Sequence, residues 1–157
     1  MTVTARHYLR DVGVWKVWRE LRQRPHIDFA LVDMPPGAPA AVYARRGDRA
    51  VVLIDRALPP AERLAALAHE LVHDERGGSG HVDGMPPSLG DVVAREERRV
   101  DRIVAERLIP RDRLEQLVET RSEIEGHICP LVVAEEFGVP ERVAHDALSM
   151  LLERRSA

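Results

Sequence analysis

Two histidines and a glutamate stand at a spacing that could bind a metal ion and use it. In AALAHELVHDER, residues 65–76, His69 and His73 are four apart and Glu70 follows the first histidine. Side chains four residues apart on a helix project from the same face, about one turn apart. Two imidazoles placed in this way could hold one zinc ion, with Glu70 as general base for a water at that ion. The alternative is a helix whose two histidines are held by hydrogen bonds in the core.

A catalytic zinc site needs a third protein ligand and keeps a fourth position for water. The segment AREERRVDRIVAERLIP, residues 94–110, offers Glu97 and Asp101 on one helix face. We expect Glu97 to be the third ligand, with Glu96 as the alternative if the helix is rotated. Asp101 is expected to accept a hydrogen bond from the far nitrogen of a ligand histidine and so fix its tautomer. A solvated helix face without a metal could also carry both acids.

The hydrophobic pattern predicts an α+β fold that positions these residues. We expect an N-terminal helix at 11–23, with Val17 and Trp18 on its apolar side, and then a three-stranded antiparallel meander. The expected strands are 27–32, 40–44 and 49–55, and the expected helices that follow are 60–76, 91–109, 111–119, 122–137 and 140–154. Ser122 and Glu125 form a possible capping box for the fourth of these helices.

Length and composition indicate one ordinary globular domain. The chain has 157 residues, 45% apolar and 31% charged, and a net charge of −3, which does not favour nucleic-acid binding. We expect a single domain over 1–157, with a catalytic core at 1–110 and a helical subdomain at 111–157. Cys129 is the only cysteine, and no long apolar run is present, so a cytoplasmic protein without disulfides is expected. The oligomeric state is left open.

The stretch from Ala50 to Pro110 resembles the ImmA/IrrE family of small metallopeptidases with gluzincin-type ligation. The resemblance rests on VVLIDRALPPAERLAALAHELVHDERG and EERRVDRIVAERLIP, and it is closest to compact actinobacterial members. It implies a zincin-like fold and one zinc ion per chain. The ligands would be His69, His73 and Glu97, and Glu70 would be the catalytic base.

The same resemblance implies a substrate class. It indicates a cytoplasmic zinc endopeptidase of narrow specificity that cleaves a regulatory protein, such as a helix-turn-helix repressor of mobile elements or stress genes. One alternative is a zinc-stabilised module that sequesters a regulator without cleaving it. Another is a DNA-binding regulator that uses residues 133–152, a helix-turn-helix-like segment. Four acidic residues crowd that segment and argue against it: Glu135, Glu136, Glu141 and Asp146.

Substrate contacts are less clearly indicated by the sequence. His81 and Tyr43 are candidates for the second donor to the oxyanion, although a surface and a packing role are the alternatives. The strand 49–55 could be an edge strand that pairs with an extended substrate, or an interior strand. A second metal site is not expected, because its three possible ligands are poorly spaced: His127, Cys129 and His145. His7 and His26 have no recognisable partner in the sequence.

Overall fold

The elements follow the order α, three strands, then helices, which confirms the α+β fold. A computed structural model describes residues 16–77, 90–125 and 128–156, with the backbone alone at 122–125. The first helix, α1, is described over residues 16–22. The remaining elements are β1 (Ile27–Val32), β2 (Ala41–Arg46), β3 (Arg49–Asp55), α2 (Pro60–Glu75), α3 (Gly90–Leu108), α4 (Arg111–Glu125), α5 (Pro130–Phe137) and α6 (Glu141–Arg155).

The sheet is mixed, so the predicted antiparallel meander is wrong. The strand order is β1-β3-β2, with β3 parallel to β1 and antiparallel to β2. The connection at 33–40 contains three prolines and is too long for a tight hairpin. It leads the chain from β1 to β2 and leaves room for one strand between them. A tight turn at Gly47, whose φ is 59°, then brings β3 into that gap. β3 is therefore the interior strand, not an edge strand, and β2 is an edge of the sheet that the described residues form.

The motif helix α2 packs on one face of this sheet. Alternate residues of β3 are buried, as Val52 and Ile54 show, and they face the apolar side of α2. Pro60 stands in the first turn of α2, where a proline fits because its missing N–H has no helical partner. Leu67 and Leu71 are almost fully buried on this helix. The burial of these side chains fixes which face of α2 remains for the histidines.

The other side of α2 packs against α3, which in turn packs against α6. The predicted helix break near residue 120 is wrong, because α4 continues to Glu125 and Ser122 lies inside it. The capping-box pattern is a weak signal there, since no proline or glycine interrupts 111–125. Pro130 begins α5, and Gly138 ends it with a left-handed φ of 67°.

Two expectations concern the whole chain, namely the lack of a membrane-spanning segment and a division into two parts at residue 110. No helix among the described residues has the length and apolar character needed to span a bilayer. The division of the chain at residue 110 stays a prediction.

The packing of α2 predicts a large difference between two leucine substitutions. Leu71→Ala should lower the free energy of unfolding by about 2–5 kcal/mol, because Leu71 is 0% exposed and its truncation leaves a cavity. Leu152→Ala is the matched control, since Leu152 is 62% exposed, and it should change stability by about 0.5 kcal/mol or less. Urea unfolding followed by circular dichroism measures both. Equal effects would contradict the burial of α2 against the sheet.

Candidate metal centre

Neighbouring faces of α2 and α3 bring three ligand atoms to one point. The Nε2 atoms of His69 and His73 lie 3.0 Å apart. Glu97 of α3 reaches both, with one carboxylate oxygen 3.2 Å from His69 Nε2 and the other 3.5 Å from His73 Nε2. All three ligand atoms lie within 4.8 Å of one another, and no other such group occurs among the residues the structure describes.

These distances fit a metal ion. Ligand atoms about 2.0–2.2 Å from a tetrahedral ion lie about 3.3–3.6 Å from each other. The observed separations of 3.0–3.5 Å are close to that range. Two imidazole nitrogens directed at each other, with a carboxylate beside them, are the donors that a divalent cation needs. The arrangement is therefore competent to hold a metal through His69, His73 and Glu97.

Asp101 supports one of the two histidines. Its Oδ1 atom lies 3.2 Å from His69 Nδ1, which leaves Nε2 of that ring free to face the ligand cluster. A carboxylate in this position fixes the tautomer and orientation of a metal-binding histidine. His73 differs, because its Nδ1 atom is buried without a hydrogen-bond partner among the described residues. The two rings are thus held in different ways.

The pKa values of the two histidines move in opposite directions. Burial opposes the charged form of His69, but the hydrogen bond to Asp101 and the surrounding carboxylates outweigh it and raise the pKa. Burial, together with the positive charge of His69, lowers the pKa of His73. Both effects favour the neutral imidazole of His73, which is the form that binds a metal.

Glu70 is a buried carboxylate next to this cluster. It is 8% exposed. Burial raises its pKa, an effect that His69 opposes and the negative charge of Glu97 reinforces. A carboxylate with a raised pKa accepts a proton more readily near neutral pH. Glu70 thus has the environment of a general base.

Glu96 and Tyr43, which the sequence also singles out, have partners outside the ligand cluster. Glu96 forms an ion pair with Arg76 and lies outside the ligand cluster, in contrast to Glu97. The Tyr43 hydroxyl donates to Asp74 Oδ1 at 2.9 Å. That contact directs Tyr43 to the last turn of α2. His81 lies outside the described residues.

Asp74 is a buried charged residue that the sequence reasoning missed. Besides Tyr43, it accepts a hydrogen bond from His26 Nε2, which lies 2.9 and 3.0 Å from its two oxygens. Arg24 and Arg45 stand 3.7 and 3.8 Å away. His26 therefore has a partner, which the sequence did not reveal. The only local signal was an acid directly after His73 on a helix that is otherwise buried.

A cavity of about 240 Å³ opens beside His69 and Glu70. Its walls come from β2, α2, α3 and α6, and they include Asp101 and two charged residues of α6, Arg142 and Asp146. Sequence spacing could not place α6 at this site, because nothing local to 141–155 relates it to the motif helix. The cavity gives the metal centre an opening to solvent that is large enough for a side chain.

The remaining candidates that the structure describes are not part of the ligand cluster. α5 and α6 do form a helix pair joined at Gly138, but one side of α6 is buried against α3 and α5. Cys129 is exposed, and His145 is exposed on α6 beside Asp146. His7 and His127 lie outside the described residues.

A motif helix on a small sheet, with a ligand glutamate on the next helix, is the arrangement of a metallopeptidase. Residues 23–149 match the model of the Peptidase M78 family, described as the IrrE N-terminal-like domain. The chain belongs to this family, which confirms the resemblance drawn from the sequence; the likeness to actinobacterial members stays a prediction. No curated protein and no solved structure matches the chain.

The ligand cluster predicts that Glu97 is required for metal binding and Glu96 is not. Protein purified without a histidine tag and offered zinc should contain about one metal ion per chain. Glu97→Ala should lose that ion, because it removes a ligand. Glu96→Ala should keep it, since Glu96 contacts Arg76. Elemental analysis after removal of excess metal measures the content. A metal-free parent protein, or equal loss in both variants, would refute the assignment.

The contact with His69 predicts a smaller effect at Asp101. Asp101→Asn should weaken metal affinity about 10–100-fold without abolishing binding, because the ligands remain but His69 loses its charged support. Competition with a fluorescent chelator measures the affinity. Asp112→Asn, on the exposed start of α4, is the control and should leave it unchanged. An Asp101→Asn affinity equal to that of the parent would show that the contact has no role.

Proposed function

We propose that this protein is a zinc-dependent endopeptidase of narrow specificity. Its proposed substrate is a regulatory protein, such as a helix-turn-helix repressor. The observation that carries the proposal is the buried Glu70 beside three convergent ligand atoms, in a chain that belongs to a peptidase family. The choice of a regulator as substrate, and of the cytoplasm as compartment, follows from the family resemblance.

Zinc is the metal that these donors favour. Two histidines and one glutamate form a three-ligand set with a position left for water, as in catalytic zinc sites. When bound there, zinc supplies Lewis acidity that activates water at neutral pH and polarises a carbonyl oxygen. His69, His73 and Glu97 would hold it, and Asp101 would keep the His69 ring in its binding tautomer.

Glu70 would move the protons of the reaction. As water attacks the carbonyl carbon of the scissile peptide bond, the Glu70 carboxylate takes the proton that the water loses. It then delivers this proton to the leaving amine nitrogen as the C–N bond breaks. The burial that raises its pKa suits both steps, because the group must be a fair base and then a fair acid.

The substrate would bind as an extended strand along β2. Among the described residues, only β3 pairs with β2, so its other edge is free to form backbone hydrogen bonds. Ala41, at the start of β2, lines the same cavity as His69 and Glu70. We therefore propose that β2 pairs with the extended substrate, in place of the strand 49–55 that the sequence suggested.

The contacts of Tyr43 favour His81 in the choice between these two residues as the second hydrogen-bond donor to the oxyanion. The Tyr43 hydroxyl is held by Asp74, and desolvation by burial, followed by the bond to Asp74, raises its pKa. Tyr43 therefore links β2 to α2 through this hydrogen bond. His81 is the remaining proposal for the donor role.

A single substitution tests the peptidase activity. We expect zinc-loaded protein, added to a lysate of its own host, to create new protein N-termini in very few proteins, and the helix-turn-helix regulators to be among them. Glu70→Gln should reduce this cleavage at least about 100-fold, because it removes the general base but no ligand. Mass spectrometry of labelled N-termini measures the cleavage, and elemental analysis checks that zinc is retained.

Glu106→Gln is the control, because Glu106 is an exposed residue of α3 that pairs with Arg154. It should cleave like the parent. Full cleavage by Glu70→Gln would refute the mechanism. Regulators that bind the zinc-loaded protein and are never cut would instead favour the sequestering module.

A further inference from the structure

The cavity beside the metal centre has an apolar floor of small side chains. The floor residues come from four different elements: Ala41, Ala65, Ala66, Val104 and Val143. Alanines occupy little space, and their small size helps to keep the cavity open at about 240 Å³. A floor of this kind can bury the aliphatic part of one long side chain.

The charged residues around the floor are mainly acidic. Asp101 contributes a carboxylate from α3 and Asp146 another from α6. Arg142 is the one arginine among the described residues of the lining, and it is paired with Glu62 of α2. Its charge is thus already compensated by the carboxylate of Glu62.

Asp146 is compensated less directly, because Arg102 interacts with it electrostatically but forms its ion pair with Glu153. The side chain is 40% exposed, and its one ion-pair contact within the described chain is with the adjacent His145, at 3.8 Å. No arginine of the described residues lies within ion-pair distance of it. Asp146 also borders a second cavity between α3 and α6, whose lining includes Asp101 and two arginines, Arg98 and Arg102. Its carboxylate is therefore available to a group that enters from the metal centre.

We propose that this cavity is a specificity subsite for a long cationic side chain of the substrate, arginine or lysine, next to the scissile bond. This inference rests on the proposed function. The aliphatic stem lies on the alanine floor, and the cationic head reaches Asp146. The C-terminal helix α6 thereby selects the cleavage site, while α2 and α3 provide the chemistry.

Other side chains fit this cavity less well. An acidic side chain would face the carboxylates of Asp101 and Asp146, and like charges at short range repel. A purely apolar side chain would pack on the floor, but it would displace water from Asp146 without donating a hydrogen bond in its place. A long cationic side chain can pack its aliphatic part on the floor and pair its charge with the carboxylate of Asp146.

Amino-acid hydroxamates test the subsite without any known substrate, because the hydroxamate group anchors each probe at the metal. L-Arginine, L-norleucine and L-glutamate hydroxamates are titrated calorimetrically into the zinc-loaded protein. The arginine probe should bind about tenfold or more tightly than the norleucine probe, and the glutamate probe most weakly. Asp146→Asn should remove most of the advantage of arginine and leave the norleucine affinity unchanged.

Asp112→Asn is the matched control, because Asp112 is 82% exposed at the start of α4. It should bind all three probes like the parent. Equal affinity for arginine and norleucine in the parent would overturn the proposal. So would an arginine preference that survives Asp146→Asn, or a failure of every probe to bind.

Cleavage of a peptide library separates this inference from the peptidase proposal. Selective binding of the arginine probe without cleavage of any peptide would uphold the subsite and contradict the peptidase. Cleavage without preference for arginine or lysine beside the scissile bond would uphold the peptidase and overturn the subsite.

Discussion

The packing of α2 against α3 is the contact on which the site depends. His69 and His73 lie on one face of α2, but two imidazoles alone do not complete a metal site. Glu97 supplies a third candidate ligand because α3 lies beside α2 with that carboxylate within 3.5 Å of both rings. The contact is stabilised by burial of apolar residues on each helix, such as Leu67 and Val100. Hydrophobic packing thus sets the ligand geometry.

α2 is held on its other side by the sheet and at its end by polar contacts. The fully buried Ile54 of β3 lies in the sheet beneath this helix, and Asp74 ties the last turn to Tyr43 of β2. A buried carboxylate needs such donors, and their removal would leave a desolvated charge. The same contacts fix β2, the edge proposed for substrate, relative to His73. The helix that carries the ligands and the strand that would carry the substrate therefore form one unit.

The charges around this unit are arranged for a cation. Glu70, Glu97 and Asp101 surround His69, and together they raise its pKa despite its burial. Crowded carboxylates in a partly desolvated place are costly unless a positive charge joins them. A divalent ion at the ligands would meet that need at one end of the cavity. A substrate cation at Asp146 would meet it at the other.

The sequence by itself determined most of the elements and most of the candidate metal centre, because both depend on short spacings. The i, i+4 relation of His69 and His73, and of Glu97 and Asp101, is a property of any helix. Helix rotation decided between Glu96 and Glu97, and it depends on which residues of α3 are buried. Only the tertiary structure decided the order of the strands, the partner of His26 and the place of Asp146 in the same cavity as His69. These relations join residues far apart in the chain, and no local periodicity encodes which distant surfaces will pack together.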